Sequence, residues 1–351
     1  MPLSKNELER YSRQIALRDF GTEGQLRVKS AKVCVVGVGG LGSVSSLQLA
    51  GIGVGYLRII DRDVVELTNL QRQLIYDANS IGYPKVEIAA KKLQALNPEI
   101  RIEPIAASVS EDNAESLLRG VDIVVDALDR FLPRFAINKA CVKLKIPYVF
   151  GGAIETYGNA TTIIPSQTPC LECLFRNADD AVLPTCERVG VIPPIINIIA
   201  SIQVNETLRM ILGKEPLLSN KILYCDLNSL NFDIFEVARR KDCTACGSEP
   251  RKALATQVEH KKGGSISELC GRESFMVTPQ RQTSINIAEA GKILSRKYKV
   301  KLVASYGLTL TVGDNISISL MRGGNMLIKG AKNTEEAQRL YDEITEYLKA
   351  S

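Results

Sequence analysis

The sequence of 351 residues has no tryptophan, one histidine and only 5% aromatic residues. It also lacks an uninterrupted apolar run of the roughly 18 residues that a membrane helix needs. The most apolar stretch, at 191–204, is broken by Pro193, Pro194, Asn197 and Ser201. The N-terminus is polar and charged, unlike a secretion signal. We therefore expect a cytoplasmic protein with no membrane span.

The composition is 45% apolar and 24% charged, which is ordinary for a globular protein and excludes a disordered or collagen-like chain. At about 150 residues per domain, the length predicts two folding units. The 44 basic and 39 acidic side chains give a net charge of +5, and the excess lies beyond Arg251. This weak bias suits an acidic protein surface, RNA or a solvated helix face, so a nucleic-acid partner is not favoured.

Short apolar segments alternate with helical patterns through the first half of the chain. Strands with so little polar alternation are buried on both faces, which indicates a parallel sheet covered by helices. The predicted strands are residues 32–38, 56–60, 101–105, 121–125 and 148–150, and the predicted helices are residues 43–50, 85–96, 111–118 and 132–144.

Beyond Gly152 the pattern changes to one of antiparallel strands, at 159–164, 221–226 and 231–236, with an apolar helix at 194–212. The predicted fold class of residues 1–258 is α/β, a Rossmann-like doubly wound, mostly parallel sheet extended by antiparallel strands. A linker at 259–264 leads to a small α+β domain at 265–351. Its predicted elements are a strand at 275–277, a helix at 285–298, strands at 301–312 and 316–328 with a glycine turn, and a helix at 334–349.

Gly37, Gly39 and Gly42 match the fingerprint in which glycines bring a phosphate close to backbone N–H groups at a helix N-terminus. Asp61 lies 19 residues past Gly42, at a strand end where a carboxylate can bind both ribose hydroxyls. Nicotinamide and flavin enzymes carry the same pattern, and tight packing of strand on helix produces it without a ligand. The fingerprint alone therefore leaves the nucleotide open.

Several further motifs narrow the choice. Residues 61–73 form a polar run, ending in Asn-Leu-Gln-Arg-Gln, where a helix would ordinarily follow the second strand. Gly-Tyr-Pro-Lys stands at 82–85, Asp-Ala-Leu-Asp at 126–129 and Arg-Tyr-Ser-Arg-Gln at 10–14. With the glycine turn and two CxxC motifs, these segments resemble the ubiquitin-activating superfamily that includes the ThiF, MoeB and HesA adenylyltransferases, over roughly residues 8–250.

The resemblance implies a Mg-ATP site. Its nucleotide-binding residues would be Gly37, Gly39, Gly40, Gly42, Asp61 on the ribose, Asp63, Asn69, Arg72, Gln73, Lys85 and Asp129, with Asp129 holding Mg²⁺. Arg13 resembles the arginine that enters the neighbouring subunit's site in the family's homodimers, so Arg13, Arg72 and Lys85 are the implied catalytic cations. One departure is Arg130, where the family has Asn, although Arg134 keeps the usual spacing.

These charges suit the implied chemistry, because a carboxylate that attacks the α-phosphorus of ATP concentrates negative charge there. Hydride transfer needs no such cationic cluster, which argues against a nicotinamide oxidoreductase. Either Arg72 or Lys85 alone would be interpreted as a solvated helix start.

The sequence has nine cysteines, which in a cytoplasmic chain argue against a disulfide framework. Two CxxC motifs, at 170–173 and 243–246, supply four thiolates, as a tetrahedral zinc ion requires, whereas a redox dithiol would need one pair. The family resemblance implies a structural zinc held by Cys170, Cys173, Cys243 and Cys246. Cys34, Cys141, Cys225 and Cys270 are interpreted as small buried apolar residues.

Cys186 stands apart, in a polar loop next to Arg188, and resembles the superfamily's catalytic or sulfur-handling cysteine. A spectator thiol is the alternative. An acyl-adenylate loses AMP readily, so this thiolate would need no general base; the single histidine, His260, lies in the linker region.

The function implied is ATP-dependent adenylation of a small ubiquitin-like or sulfur-carrier protein ending in Gly-Gly, followed by thioester or persulfide chemistry at Cys186. A downstream conjugating enzyme or sulfur donor, and a homodimer, are the further partners that the resemblance implies. Adenylation of a modified tRNA base is the nearer alternative, because of the basic tail; a nicotinamide oxidoreductase is the more remote one.

Overall fold

Two β-sheets organise the chain in a computed structural model that describes residues 2–176, 178, 180, 189–249, 265–269, 274–279, 283–313 and 315–350. The first sheet has eight strands in the order β3-β2-β1-β4-β5-β6-β7-β8, and the second has six in the order β11-β12-β13-β14-β10-β9. Strands β1 to β5 pair in parallel, whereas β5 to β8 pair antiparallel. The predicted fold class, a doubly wound sheet with an antiparallel extension and a smaller α+β part, is confirmed.

The first sheet and its helices occupy the described residues up to 249. The strands are β1 (Lys32–Val36), β2 (Tyr56–Asp61), β3 (Arg101–Ala106), β4 (Ile123–Asp126), β5 (Tyr148–Ile154), β6 (Tyr157–Ile163), β7 (Lys221–Asp226) and β8 (Asn231–Glu236). The helices are α1 (Lys5–Arg10), α2 (Ser12–Ile15), α3 (Gly21–Ser30), α4 (Gly40–Ile52), α5 (Lys85–Leu96), α6 (Ala114–Leu118), α7 (Phe131–Leu144), α8 (Leu171–Leu174) and α9 (Pro193–Ile211).

The order of the strands reverses between β1 and β4, because β2 and β3 lie on one side of β1 and β4 and β5 on the other. A doubly wound sheet has its ligand crevice at such a switch point, outside the carboxyl ends of the strands. The turn after β1 and the segment after β4 therefore flank the crevice.

Helices α1 to α3 were not predicted from the sequence. Helix α1 carries a local signal, since the Ser4 hydroxyl accepts the Glu7 N–H at 3.1 Å and a Glu7 carboxylate oxygen accepts the Ser4 N–H at 2.7 Å. This is a capping box, recognisable as Ser-x-x-Glu. Tyr11, which follows α1, is buried and accepts a hydrogen bond from Asn97 at 2.8 Å.

The second sheet belongs to the C-terminal part of the chain. Its elements are β9 (Ser265–Leu269), β10 (Ser274–Thr278), α10 (Ile287–Leu294), β11 (Lys299–Val303), β12 (Gly307–Val312), β13 (Ile316–Met321), β14 (Met326–Lys329) and α11 (Thr334–Ala350). The single strand predicted at 301–312 is thus two strands, because the chain turns where the Ala304 N–H donates to the Gly307 carbonyl at 2.8 Å. The predicted linker at 259–264 lies outside the described residues.

The apolar core has separate parts on the two faces of the first sheet and a third part in the C-terminal domain. One face packs on α4, α5 and α9, and the other on α6, α7 and the CxxC motifs. Among the described ranges, no helix combines the length and the apolar character needed to cross a bilayer.

Candidate functional site

The glycine turn lies between β1 and the N-terminus of α4. Gly37 has a φ of +89°, and a Cβ there would lie 2.6 Å from the carbonyl oxygen of Ala127. A Cβ on Gly42 would lie 1.9 Å from the carbonyl oxygen of Gly37. Only glycine fits at both positions, because a side chain would collide with the backbone of Ala127 or of Gly37 itself. The turn therefore packs closely against the N-terminus of α4, and a helix N-terminus of this kind favours an anionic ligand.

Asp61 closes the other side of this turn, at the end of β2. Its two carboxylate oxygens accept the backbone N–H groups of Val38 at 2.7 Å and Asp63 at 2.8 Å. Burial raises the pKa of Asp61, and the neighbouring carboxylate of Asp63 adds to that effect. The residue predicted to bind the ribose is therefore fixed directly beside the glycine turn.

Lys85, the first residue of α5, lies in the same place. Its ammonium is 3.1 Å from a carboxylate oxygen of Asp63, and its side chain is only 7% exposed. Burial acts to lower the pKa of Lys85, but the carboxylates of Asp63 and Asp61 outweigh it and raise the pKa above its usual value. For Asp63, burial acts to raise the pKa, but Lys85 and Arg62 outweigh it and the pKa is lowered. Both partners stay ionised near neutral pH.

The polar loop between β2 and α5 contains Asn69, Arg72 and Gln73. Asn69 is buried and its side-chain oxygen accepts the Glu66 N–H at 3.0 Å, while Arg72 donates to the Thr68 carbonyl at 2.9 Å. Gln73 is 3% exposed, and its Oε1 has no hydrogen-bond partner within the described part of the chain. Its Nε2 lies 3.7 Å from the position of a Cβ on Gly39, so Gln73 faces the glycine turn.

Asp126, at the end of β4, anchors the corner that leads to Asp129. One of its oxygens lies 3.1 Å from Arg134 Nε and accepts the Tyr148 hydroxyl at 2.6 Å, and Gln203 donates to its backbone carbonyl at 2.6 Å. Burial raises the pKa of Asp126. Tyr148 and Gln203 carry no motif that sequence analysis would detect, since only the fold brings them to this strand end.

Asp129 itself is exposed, and its charge affects the residues of the crevice. Its carboxylate contributes to the raised pKa of Lys85, and the guanidinium of Arg130 contributes to the lowered pKa of Asp63. The departure at Arg130 thus places an additional positive charge near Asp63. Tyr76, a buried residue that the sequence did not single out, donates to the Val38 carbonyl at 2.8 Å and fixes the same turn.

Arg13 is not brought to this site within its own chain. It is exposed on α2, where the adjacent Gln14 donates to the Ile52 carbonyl at 2.8 Å. Ile52 ends α4, and the 13 residues of that helix separate it from the glycine turn by about 20 Å.

The two CxxC motifs meet as predicted from their spacing. The four sulfur atoms of Cys170, Cys173, Cys243 and Cys246 all lie within 4.8 Å of one another. Cys170 and Cys243 are 3.6 Å apart and Cys173 and Cys246 are 3.5 Å apart. A tetrahedral zinc with bonds of about 2.3 Å requires sulfur separations of about 3.8 Å, so the donor set and its spacing fit this ion.

The cysteine group fastens the start of the loop that would carry Cys186. Arg176, shortly after Cys173, forms an ion pair of 3.2 Å with Asp242, next to Cys243. Further along, the carboxylate of Asp180 accepts the N–H groups of Phe131 at 2.6 Å and Leu132 at 2.9 Å at the start of α7. Cys186 itself lies outside the described residues.

Apart from Cys186, the cysteines outside the CxxC motifs were predicted to be core residues, and the structure describes three of them. Cys34, Cys141 and Cys225 are buried, and burial raises the pKa of Cys34 to about 12. Buried thiols with raised pKa values are unreactive, in line with their interpretation as core residues. Cys270 lies outside the described residues.

Comparison with known proteins identifies relatives of this chain. A family model described as the ThiF family matches residues 11–245. The chain is 32% identical over 342 residues to the sulfur carrier protein ThiS adenylyltransferase of Bacillus subtilis, covering 95% of this chain and 98% of that protein. It is 38% identical over 246 residues to the molybdopterin-synthase adenylyltransferase of Salmonella typhimurium, covering 70% of this chain and 98% of that protein.

Among solved structures, that of Escherichia coli MccB crystallised with ATP is similar, with a TM-score of 0.60 and 26% identity. The similarity covers 68% of this chain and 74% of that one.

Proposed function

The chain belongs to the ThiF family and is an adenylyltransferase, and from this premise we propose that it activates the C-terminal carboxylate of a small sulfur-carrier or ubiquitin-like protein ending in Gly-Gly. One observation carries the proposal. The glycine turn, the pair of Asp63 and Lys85, and the corner of Asp129 converge at the switch point of the sheet. The name of the Bacillus subtilis relative, an adenylyltransferase of ThiS, supports a carrier protein as the acceptor.

In the proposed reaction, a carboxylate oxygen of the carrier attacks the α-phosphorus of ATP. The new oxygen–phosphorus bond replaces the bond to the β-phosphate, and pyrophosphate leaves with the electron pair. Negative charge grows on the α-phosphate oxygens and on the leaving group. The fixed charges of Lys85 and Arg72 stabilise this distribution more than they stabilise the substrates, which lowers the barrier.

Two metal ions fit residues of this chain. Asp129 is an exposed carboxylate whose charge contributes to the raised pKa of Lys85, and Mg²⁺ is ordinarily bound by one or two carboxylates together with substrate phosphates. A bound Mg²⁺ would neutralise charge on the departing pyrophosphate. Zinc would be held by the four sulfurs of the CxxC motifs, which leave no open position, so its role is structural.

Cys186 is the proposed acceptor in a second step. Its thiolate would attack the carbonyl carbon of the acyl-adenylate, forming a thioester while the bond to AMP breaks. The alternative second step passes the adenylate to a sulfur donor. The described start of this loop is held at the CxxC motifs by Arg176 and at the start of α7 by Asp180, and α7 directly follows Arg130, so the loop begins on the side of the sheet where Asp129 lies.

The exposed hairpin of β7 and β8 is the proposed docking surface for the carrier. All of β8 is exposed, including Phe235 at 55%, and Tyr224 on the neighbouring strand β7 is 41% exposed. Register places Tyr224 and Phe235 on one face, where the ring of Tyr224 lies 6.0 Å from that of Tyr157 on β6. An edge strand with solvent-exposed apolar side chains is typical of an interaction site.

This position suits a carrier with a flexible tail. Three strand spacings separate β7 from β4, or about 14 Å, and four extended residues reach about that far. A carrier seated on Tyr224 and Phe235 would thus bring its terminal carboxylate to the strand end that leads to Asp129.

Arg13 would serve a second copy of the chain in this proposal. Because its own glycine turn is about 20 Å away along α4, Arg13 acts only if a homodimer presents α2 to the neighbouring crevice.

Exchange of labelled pyrophosphate into ATP tests the proposed function. We expect exchange that depends on a carrier with a C-terminal Gly-Gly and disappears when the carrier is shortened by those two residues. Exchange that depends on tRNA instead would overturn the choice of acceptor. The absence of exchange with every Gly-Gly carrier supplied would overturn the reaction itself.

A further inference from the structure

The C-terminal sheet turns one face away from its own helices. Along β13, Ile318 and Leu320 point into the C-terminal core, whereas Met321 lies in the core of the first domain. The same division separates Phe275 and Val277 from Met276 on β10, since neighbouring side chains of a strand point to opposite faces. We call the second face the brace face; it includes Met276, Thr309, Met321, Leu327 and Lys329.

The brace face contacts a narrow part of the first domain that we call the neck, residues 63–66 and 82–85. Three backbone hydrogen bonds join its two segments: Val65 N–H to the Tyr83 carbonyl at 2.8 Å, Gly82 N–H to the Val65 carbonyl at 2.9 Å, and Lys85 N–H to the Asp63 carbonyl at 2.9 Å. The neck closes the loop that contains Asn69, Arg72 and Gln73. Whatever holds the neck therefore limits the motion of that loop.

Contacts from the brace face reach both segments of the neck. Lys329 Nζ lies 2.8 Å from a carboxylate oxygen of Glu66, with the two side chains 34% and 27% exposed. The Thr309 hydroxyl donates to the Gly82 carbonyl at 3.3 Å. Gly307 lies so close to Pro84 that a Cβ there would be 3.2 Å from the proline Cγ.

Two further contacts flank the neck. The Tyr306 N–H donates to one carboxylate oxygen of the buried Glu87 at 3.1 Å, while Lys91 binds the other oxygen at 2.9 Å. Just beyond the end of β3, Asn325 donates to the Ser108 hydroxyl at 3.1 Å in a buried contact. The C-terminal domain is thus fixed at the start of α5 and just beyond the end of β3 as well as at the neck.

The two faces of the neck have different roles. Val64 pairs with Pro84, and Pro84 and Glu66 meet the C-terminal domain. Asp63 directly precedes Val64 and Lys85 directly follows Pro84, and these two residues form their ion pair at the crevice. Because side chains alternate along extended segments, one backbone carries the C-terminal contacts on one face and the Asp63–Lys85 pair on the other.

We propose that the C-terminal domain positions the ATP site, with Lys329 and Thr309 as positioning residues that act through the neck on Lys85 and on the loop of Arg72. This inference rests on the proposed function, since it assigns Lys85 and Arg72 to ATP. The Salmonella typhimurium relative is matched over 98% of its length by 246 residues of this chain, so a related enzyme works with a chain little longer than the first domain. The brace therefore changes how often the site is in its binding-competent form, and leaves the chemistry to the first domain.

A site that is competent for only part of the time binds with an affinity reduced by that fraction. Loosening the brace should thus raise the KM for ATP and leave kcat nearly unchanged. For the double variant Lys329→Met with Thr309→Val, we expect an increase in KM on the order of threefold to tenfold, because the ion pair is partly exposed.

The experiment measures carrier-dependent pyrophosphate exchange in the full chain, together with hydrogen exchange of the neck amides. The double variant should show the increase in KM for ATP and faster exchange at the Val65, Gly82 and Lys85 amides. The matched control is Lys297→Met, which removes a 2.8 Å ion pair with Glu343 inside the C-terminal domain and should change neither quantity. Reversing the charges of the pair, with Glu66→Lys and Lys329→Glu together, should restore most of the affinity lost by Lys329→Glu alone.

Two outcomes separate this inference from the proposed function. If the unaltered chain shows no exchange, the proposed function is wrong, whatever the neck amides do. If the unaltered chain is active and the double variant keeps its KM for ATP and its protected neck, the C-terminal domain does not position the site. A fall in kcat with an unchanged KM would also overturn the inference.

Discussion

The ammonium of Lys85 lies 3.1 Å from a carboxylate oxygen of Asp63, although the lysine side chain is only 7% exposed. The pair joins the two segments of the neck at the edge of the crevice. A buried cation that is paired in this way stays charged without a bound ligand, and its position is set before ATP arrives.

We predict that Lys85 produces no pH dependence of pyrophosphate exchange between about pH 5 and 9. Because the pKa of Lys85 is raised, its ammonium keeps its positive charge below the usual lysine value of about 10.4 and loses it only above that value. Because the pKa of Asp63 is lowered, its carboxylate keeps its negative charge above about 3.9 and loses it only in stronger acid. The measurement is kcat/KM for ATP across this range.

Substitution provides the control for that profile. Lys85→Met should lower kcat/KM by about 100-fold or more, as expected for the loss of a charge aimed at the transition state. Lys92 lies on the same helix as Lys85, and Lys92→Met, which removes an exposed ion pair with Asp77, should have little effect. An alkaline limb below pH 9 that shifts in Lys85→Arg would contradict the assignment of a permanently charged Lys85.

The division of roles between Asp129 and Cys186 gives a second prediction. Asp129→Ala should abolish pyrophosphate exchange, because the carboxylate that would hold Mg²⁺ is lost. Cys186→Ala should keep exchange and remove the covalent carrier adduct, which mass spectrometry with and without reductant would detect. Loss of exchange in Cys186→Ala would show that the cysteine takes part in the first step, against this division.

A third prediction concerns the cysteine group. Cys243→Ser should reduce the bound zinc, measured by mass spectrometry of the metal, well below one ion per chain, and should speed proteolysis in residues 176–188. ATP affinity should stay within about twofold, because the group lies on the face of the sheet opposite to α4. Cys34→Ala is the control, since that thiol is buried and outside the group. Equal zinc in both variants would exclude the site.

The fourth prediction tests the docking surface. Phe235→Asp should raise the KM for the carrier by about tenfold and leave the KM for ATP unchanged, since a buried aromatic contact typically contributes about 1–2 kcal/mol at an interface. Leu17→Asp is a matched control, because Leu17 is also an exposed apolar residue, at 60%, and lies before α3. Equal effects of the two substitutions on carrier KM would exclude the hairpin as the docking surface.

The elements with a strong local signal were predictable from the sequence. Helix α5 has the predicted bounds, 85–96, because an apolar periodicity follows a proline at its start. The two strands of the β7–β8 hairpin were also found at their predicted bounds. By contrast, the turn between β11 and β12 was missed, since the apolar pattern runs through it with only Ser305 and Gly307 to mark a break.

The motifs and the family resemblance predicted which residues the site would use, but not how the fold holds them. Gln203 and Tyr148 reach the end of β4 only because α9 packs across the sheet and β5 lies beside β4. These contacts join residues far apart in the chain, and no local pattern encodes them.

By itself the sequence determined the architecture and the chemical inventory, because burial patterns and glycine requirements act over a few neighbouring residues. It specified a doubly wound sheet, a glycine turn, a set of cations and four paired thiols. Only the tertiary structure decided that Arg13 lies at the far end of α4 from its own turn, and that the C-terminal sheet rests on the neck. Both follow from packing between distant segments, where the apolar area that two faces bury together determines the arrangement.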